Sequence, residues 1–235
     1  MEIIVISTSN YKEKDSILSA ISENGVETFL VKGLQDPKSK NIVLASPLVI
    51  ADVEITEGNY KYPIIKSSKV ITSPYKLNDS LEKLASISLI SEASRLLLPD
   101  EEKASLYKWL KEAVLAIKEE KMDIYLISLI YLAQILKIAG YEFNVRECVY
   151  CGSHKDIISF SFEEGGYVCK NCFDDELPRE FDVPQMKLIR NVFLAKDFSP
   201  INGFTKEDEL IIIKHFADYI YDGLGIKLKS IDLFI

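Results

Sequence analysis

Long apolar runs, basic leaders and catalytic signatures are scarce in this 235-residue chain. The longest apolar segment, Ile124 to Ala139, is broken by Ser128, Gln134 and Lys137 and stops short of the roughly 20 residues that span a bilayer. It reads as a helix buried on most sides. The start, Met1-Glu2-Ile3-Ile4-Val5-Ile6-Ser7, puts an acid second and has only a four-residue apolar run, against the basic start and longer stretch of a secretory leader. A cytoplasmic protein with no membrane association is the expectation. Histidine is nearly absent, with only His154 and His215. G-x-S-x-G, G-x-x-x-x-G-K-[ST] and G-x-G-x-x-G are all missing, which removes sequence support for serine hydrolases, P-loop enzymes and dinucleotide-binding enzymes. Internal repeats and low-complexity stretches are missing too. Four cysteines are too few to staple a chain of this length, so their spacing has to explain them.

What is present fits a globular protein: 48% hydrophobic and 27% charged residues, with a formal charge of -8. Collagen-like, mucin-like and disordered readings are excluded. The length suits one large domain or two small ones. The acidic balance argues against a protein that coats nucleic acid with its whole surface, while leaving room for a local basic patch.

The first part reads as strands: Ile3–Ser7, Ser16–Ile21, Glu27–Val31, Ile42–Thr56 and Tyr60–Thr72. Breaks at Glu23-Asn24-Gly25, Asp36-Pro37 and Glu57-Gly58-Asn59 separate most of them. Ser16–Ile21 could also be a helical turn. About five short strands in so little chain point to a small closed barrel, with an oligonucleotide-binding (OB) barrel leading and an SH3-like barrel as the alternative. Near Ser73-Pro74 the pattern turns helical. Leu77, Leu81, Leu84, Ser88 and Leu96–Leu98 carry one stripe, closed by Pro99, and Leu106, Leu110, Val114 and Ile117 a second. A third helix runs from Asp123, as N-cap, to Gly140. Pro184 opens a fourth with Leu188, Val192 and Ala195, and Thr205 with Asp208 resembles a capping box for a helix ending near Tyr221. The expectation is an α+β chain: an N-terminal OB-fold β-barrel over 1–76, then an α-helical domain over 77–235 with a four-cysteine zinc-finger insertion at 146–176.

All four cysteines fall in that insertion, as Cys148-Val-Tyr-Cys151 and Cys169-Lys-Asn-Cys172, with seventeen residues between the pairs. Two residues between cysteines let both sulfurs turn toward one ion, and two such knuckles on a hairpin supply the tetrahedral thiolate set of structural zinc. Ile157–Phe162 and Gly165-Gly166-Tyr167-Val168 read as the hairpin's arms and turn, and Gly152 suits a knuckle's sharp bend. Two disulfides, a redox pair or four free core cysteines are the alternatives. A reducing compartment disfavours the first, and paired knuckles favour zinc. Such a site is closed to substrate, so one zinc ion here is structural, and its removal is expected to unfold the insertion first. The zinc-deaminase reading fails because no H-x-E precedes these cysteines. His154 reads as an exposed turn residue and His215 as a helix residue, packed or exposed.

Charge is uneven. Residues 1–80 carry nine lysines and ten acids, 81–147 nine bases and eleven acids, and 148–235 ten bases and fifteen acids. Asn59 to Asn78 holds Lys61, Lys66, Lys69 and Lys76 with no acid, interleaved with Tyr60, Tyr62 and Tyr75. Lys32, Lys38 and Lys40 surround the single acid Asp36. Lysines beside aromatics are what a single-strand platform needs, the charges following phosphates and the rings stacking on bases. A solvated strand face with tyrosines half in the core is the plainer explanation for any one of them. The first arginine is Arg95, and bidentate reading of guanine usually falls to arginine, so binding by the barrel is expected to be sequence-tolerant and salt-dependent.

The order of barrel, helices and four-cysteine insertion resembles the RecO family of bacterial recombination-repair mediators. The residues that carry the likeness are Tyr11-Lys-Glu13-Lys-Asp15, Val31-Lys32-Gly33, Lys38-Ser39-Lys40, Cys148-Val-Tyr-Cys151-Gly152, Phe160-Ser-Phe162, Gly165-Gly166 and Cys169-Lys-Asn-Cys172. The resemblance implies an OB-fold that binds single- and double-stranded DNA, a role in strand annealing, and partnership with RecR and the single-stranded-DNA-binding protein in loading RecA. It implies no catalytic residue, and a cytoplasmic location, nucleoid-associated during repair. Candidate DNA contacts are Lys12, Lys14, Lys32, Lys38, Lys40, Lys61, Lys66 and Lys69, of which Lys32, Lys38 and Lys40 match the family's basic loop. Leu34-Gln35-Asp36 stand where members often carry arginines, which shifts weight toward delivery by partners. Lys187 and Arg190, on the Pro184 helix, are candidates for rimming a pocket for the acidic apolar tail of the single-stranded-DNA-binding protein. Two other readings stay open: a zinc-ribbon adaptor that binds only protein, and a carboxylate-dependent nuclease.

Overall fold

The computed structural model describes residues 1–56, 61–97, 103–174 and 179–234. Strands β1 (Glu2–Tyr11), β2 (Asp15–Ser22), β3 (Gly25–Val31), β4 (Ile50–Thr56) and β5 (Ile64–Thr72) close into a barrel in the order β1-β2-β3-β5-β4. Neighbours are antiparallel except β3 and β5, which meet in parallel at Leu30 and Ile64. This is the OB layout. Ser16–Ile21 lies within β2, where Ser16, Leu18 and Ala20 are buried and Ile17 and Ser19 are half-buried, the period-two pattern of a strand.

The apolar run in β1 has a structural cause. Ile3 and Val5 point into the barrel with Leu18, Phe29 and Val53, while Ile4 and Ile6 point the other way into the helical core. All four are buried. A strand covered on both faces reads as a continuous apolar run instead of an alternating one. A register shift between Val5 and Ser7 bends the strand, and beyond Ile6 it leaves the core.

Two strand expectations need correction. Ile42–Thr56 is not one strand: Ile42–Ala45 forms a 3₁₀ turn, Leu44 plugs the barrel, and β4 begins only at Ile50. Ser46-Pro47 interrupts the run because proline offers no N–H to a ladder. The fifth strand starts at Ile64, after Pro63, whose carbonyl accepts from the Leu30 amide at 2.9 Å. Tyr60, and the break at Glu57-Gly58-Asn59, lie outside the described residues.

Five helices follow: α1 (Leu81–Leu96), α2 (Lys103–Glu119), α3 (Ile124–Ile138), α4 (Val183–Leu194) and α5 (Lys206–Leu224). Asp123 caps α3 through the Tyr125 amide, and both Asp182 and Thr205 form capping boxes, with Pro184 in the first turn of α4. The stripe expected on α1 holds only at its C-terminal end, where Leu97 is buried in the core and Leu96 packs against it. Leu77 precedes the helix and is 93% exposed, and Leu81 is 80% exposed. The buried face is Ala85, Ile87, Leu89, Ile90 and Ala93, with Ser86, Ser91 and Ser94. Small residues let α1 press against neighbours, and hydrogen bonds accommodate two of the serines. Ser91 Oγ donates to the Ile6 carbonyl of β1 at 2.6 Å, and Ser94 Oγ lies 2.6 Å from the Tyr131 hydroxyl on α3. Leu98 and Pro99 lie outside the described residues. No helix among the described residues is long and apolar enough to cross a membrane.

Between α3 and α4, β6 (Ile157–Ser161) and β7 (Gly166–Cys169) form the expected hairpin. Its inner end is part of the main core: Phe160, Phe162 and Tyr167 cluster with Phe143, Phe181, Phe193, Phe216 and Tyr219. Gly166 makes this close approach possible. Its φ is +150°, and a Cβ there would sit 2.2 Å from the Asn144 carbonyl oxygen, so no other residue fits without moving backbone.

One buried acid stands out. Glu209, in the first turn of α5, is 4% exposed, and its Oε2 has no hydrogen-bond partner among the described residues. Burial, then the facing Asp123 carboxylate and Asp208, raise its pKa from 4.5 to about 8, with Lys206 opposing. The unfolded chain therefore ionises this group first. The stability contributed by its neutral form is complete below about pH 4.5 and is lost as pH rises through about 8. Glu209→Gln is expected to be more stable than the parent at pH 8, by on the order of 2 kcal/mol, and to flatten the pH dependence across that window. Urea denaturation over a pH series measures this, and parallel curves for the two proteins would refute it.

Candidate metal centre and nucleic-acid face

The four cysteines converge at the outer end of the hairpin. Their Sγ atoms all lie within 4.8 Å of one another, and Cys151 and Cys169 approach to 3.6 Å. A tetrahedron with metal–sulfur bonds near 2.3 Å has sulfur–sulfur edges of about 3.8 Å, so the set is spaced to hold one ion. Backbone turns place the sulfurs. In the first knuckle the Gly152 amide donates to the Cys148 carbonyl at 2.9 Å, with Gly152 at φ +69°. In the second, the Cys172 and Phe173 amides both donate to the Cys169 carbonyl at 3.0 Å. Cys148 and Cys169 are buried, Cys172 is half-buried and Cys151 is exposed.

The electrostatics are those of a site short of positive charge. Burial pushes the Cys148 thiol up, but backbone hydrogen bonds at Cys169, Cys151 and Tyr150 outweigh it and hold the pKa down at about 6. Cys172 goes the other way, pushed up to about 12, first by its hydrogen bond with Cys151 and then by burial. Thiols this close do not all ionise unaided, and a bound divalent cation would supply the missing charge. His154 stands apart on an exposed turn, with Nδ1 3.1 Å from the Arg146 carbonyl and Nε2 3.5 Å from the Glu147 carboxylate. His215 packs edge-on against Phe181, ring centroids 4.7 Å apart.

The candidate lysines separate into groups. Register places Tyr11 opposite Asp15, Ser16 opposite Val31 and Leu30 beside Ile64. The β1–β2 turn with Lys12 and Lys14, the end of β3 with Lys32, and the approach to β5 with Lys61 therefore share one end of the barrel. Asp15 fastens that end by accepting from the Gly33 amide at 2.9 Å, and the Gln35 amide donates to the Lys14 carbonyl at 3.1 Å. Two rings stand there with lysines over them: Lys12 Nζ is 5.2 Å from the Tyr11 centroid, and Lys61 Nζ 5.2 Å from that of Tyr62.

Lys38 and Lys40 sit on the loop after Leu34, whose side chain anchors it in the barrel core. The loop returns to β5 where Ser68 Oγ donates to Asn41 Oδ1 at 2.8 Å. Lys66 and Lys69 are exposed on β5, and Lys69 pairs across from Asp52 at the far end of the strand. The lysine–tyrosine strip read from the sequence is not continuous. Tyr75 is half-buried against both cores, with burial and Asp79 raising its pKa to about 12. Lys76 is paired with Glu120 at 2.6 Å. The ring overlooked in the sequence is Tyr11. Its signal was a tyrosine–lysine dipeptide at a hairpin turn, like Lys61-Tyr62.

A closed five-stranded OB barrel fused to a helical body, with four converging thiols on a hairpin, is the plan of a barrel protein with a cysteine cluster able to hold a metal ion. Residues 1–74 match the family model "Recombination protein O N terminal" and residues 78–231 match "Recombination protein O C terminal". The chain belongs to the RecO family. It is 28% identical to the DNA repair protein RecO of Thermoanaerobacter sp. (strain X514), over 98% of this chain and 94% of that protein. It is also 28% identical to RecO of Streptococcus agalactiae serotype Ia, over 97% and 90%, and 26% identical to RecO of Lactococcus lactis subsp. lactis, over 97% and 91%.

The hairpin has two differently held ends, so metal loss has a local signature. Cys169→Ala, or chelation of the intact protein, is expected to speed amide exchange in 148–156 and 169–173. Phe160 and Phe162, set in the helical core, should stay protected. Hydrogen exchange with mass spectrometry reads this, and loss of protection across the whole hairpin would show that the ion, and not the aromatic cluster, holds it.

Proposed function

We propose that this chain is a non-enzymatic recombination-repair mediator. It binds single- and double-stranded DNA through its barrel, promotes annealing of complementary strands, and with RecR helps load RecA at single-stranded gaps. The observation that carries the reading is the barrel end on which Lys12, Lys14, Lys32 and Lys61 gather beside Tyr11 and Tyr62, in a chain of a DNA-repair family. Lys38, Lys40, Lys66 and Lys69 extend the contact along the loop and β5. The barrel has no arginine, so lysine ammonium groups meet phosphate as point charges and any base is accepted on the rings. DNA strands are held by counterion release and stacking, and annealing follows from presenting unpaired bases to a complement.

In this reading residues 1–76 form the DNA-binding domain, and 77–235 form the helical domain with its insertion at 146–176. Cys148, Cys151, Cys169 and Cys172 hold a single zinc ion, because four thiolates in a tetrahedral set suit that metal and leave no open position for chemistry. The zinc is structural. The protein works in the cytoplasm at the nucleoid, with RecR and the single-stranded-DNA-binding protein as partners. Lys187 and Arg190, both exposed on α4, are the bases offered to the acidic tail of the latter.

Fluorescence polarisation with a labelled oligonucleotide tests the barrel at two salt concentrations, with and without RecR. Lys12→Glu combined with Lys61→Glu is expected to weaken binding about tenfold or more and to lessen the salt slope by roughly 1.4, since each phosphate neutralised on a single strand contributes about 0.7. Salt-independent binding, or none even with RecR present, would overturn the DNA reading and leave the protein-adaptor reading. The oligonucleotide should stay intact in Mg²⁺. Its cleavage would revive the nuclease reading.

A further inference from the structure

The acidity of the C-terminal part is concentrated in one place. Residues 148–182 carry eight acids and three bases, while residues 183–235 carry seven of each. The structure gathers part of this charge around a half-enclosed cavity of about 130 Å³, beside the cysteine centre. Phe160, Val168, Phe173 and Tyr150 form its apolar walls, and Glu163, Glu164, Asp174 and Glu180 stand around it. Lysine and arginine are absent from the described lining. The walls are positioned by parts of the fold already fixed for other reasons: Phe160 by the aromatic cluster, Val168 by β7 and Phe173 by the second knuckle. Tyr150 is held by a hydrogen bond from its hydroxyl to Glu164.

Such a cavity is ill-suited to nucleic acid, since phosphates entering it would meet four carboxylates. A long basic side chain meets both of its requirements. Its methylenes cover the aromatic and aliphatic wall, and its charged head reaches the carboxylate rim. A second observation points the same way. The chain's own Arg179 places its guanidinium 5.4 Å from the Phe173 ring centroid, so this wall already accepts a guanidinium on one side. We propose that the cavity beside the cysteine centre is a docking site for an arginine-bearing segment of a protein partner, one arginine inserting against Phe160 and Phe173 with its guanidinium between Glu163 and Glu180. The site lies on the insertion and the segment just after it, separate in sequence from the barrel lysines, so it does not depend on the DNA-binding reading.

The test uses the full chain and a fluorescein-labelled peptide alternating arginine and leucine, followed by fluorescence polarisation. Binding is expected, and replacing every arginine by citrulline, which keeps shape and removes charge, should weaken it at least tenfold. Glu163→Gln combined with Glu180→Gln should weaken binding of the arginine peptide by a similar factor. A matched control, Glu207→Gln with Asp222→Asn on exposed positions of α5, should leave it unchanged. No binding by the parent protein overturns the proposal. So does equal binding of the citrulline peptide, or equal loss in the control, which would mean a general attraction to an acidic protein. The peptide comparison needs no variant, so it stands even if the double substitution disturbs folding.

Discussion

The two-sided burial of β1 is the constraint on which the molecule is built. Ile3 and Val5 complete the barrel interior, and Ile4 and Ile6 complete the helical core. Neither core can be finished without the same strand, so barrel and helices are not beads on a string. Polar bonds reinforce the seam: Ser91 donates to the Ile6 carbonyl, and Glu2 accepts from both the Tyr107 hydroxyl and Lys111 on α2. Burying four such side chains contributes several kcal/mol, far more than exposed ion pairs at the same boundary offer. The barrel is therefore held in a fixed attitude on the helical body, its lysine-bearing end set by the strand register.

The cysteine hairpin between α3 and α4 is held on a similar principle. A hairpin this small is marginal alone, and here two unlike devices hold it. Phe160, Phe162 and Tyr167 tie its inner end to the helices, and Tyr167 adds a hydrogen bond from its hydroxyl to the Met186 carbonyl at 2.8 Å. The outer end has no such core and relies on the four converging thiols. An ion held there would order a surface and not a fold, fixing the knuckles and, through Phe173, one wall of the adjacent cavity.

Much of this was legible in the sequence because the signals are local. Asp123, Pro184 and Thr205 with Asp208 marked helix starts correctly, since caps are set by a few neighbouring residues. The cysteine pairs announced their convergence because knuckle spacing is itself the geometry. What was not legible depends on distant partners. The leucine spacing on α1 pointed to Leu77, Leu81 and Leu84, but these are exposed, and the buried face includes Ser91 and Ser94, which bond to β1 and α3. Tyr75 looked like part of a stacking strip because its burial between barrel and helices comes from tertiary contact. The separation of Lys69 from Lys61 follows from strand direction, which the mere nearness of lysines in sequence does not contain.

Net charge is the property in which sequence and structure correct each other most. A total of -8 argues against a nucleic-acid role if the charge is spread evenly, and here it is not. Lysines stand with rings at one barrel end, whereas eight acids crowd the cysteine segment. A divalent ion held by four thiolates leaves about two further negative charges in that segment. At physiological ionic strength each region acts within a Debye length of about 8 Å. The acidic segment disfavours phosphate at its own surface. Under the proposed function, such a division would orient the protein on a polyanion without sequence recognition, the lysine-bearing barrel end toward the nucleic acid and the cysteine segment away from it.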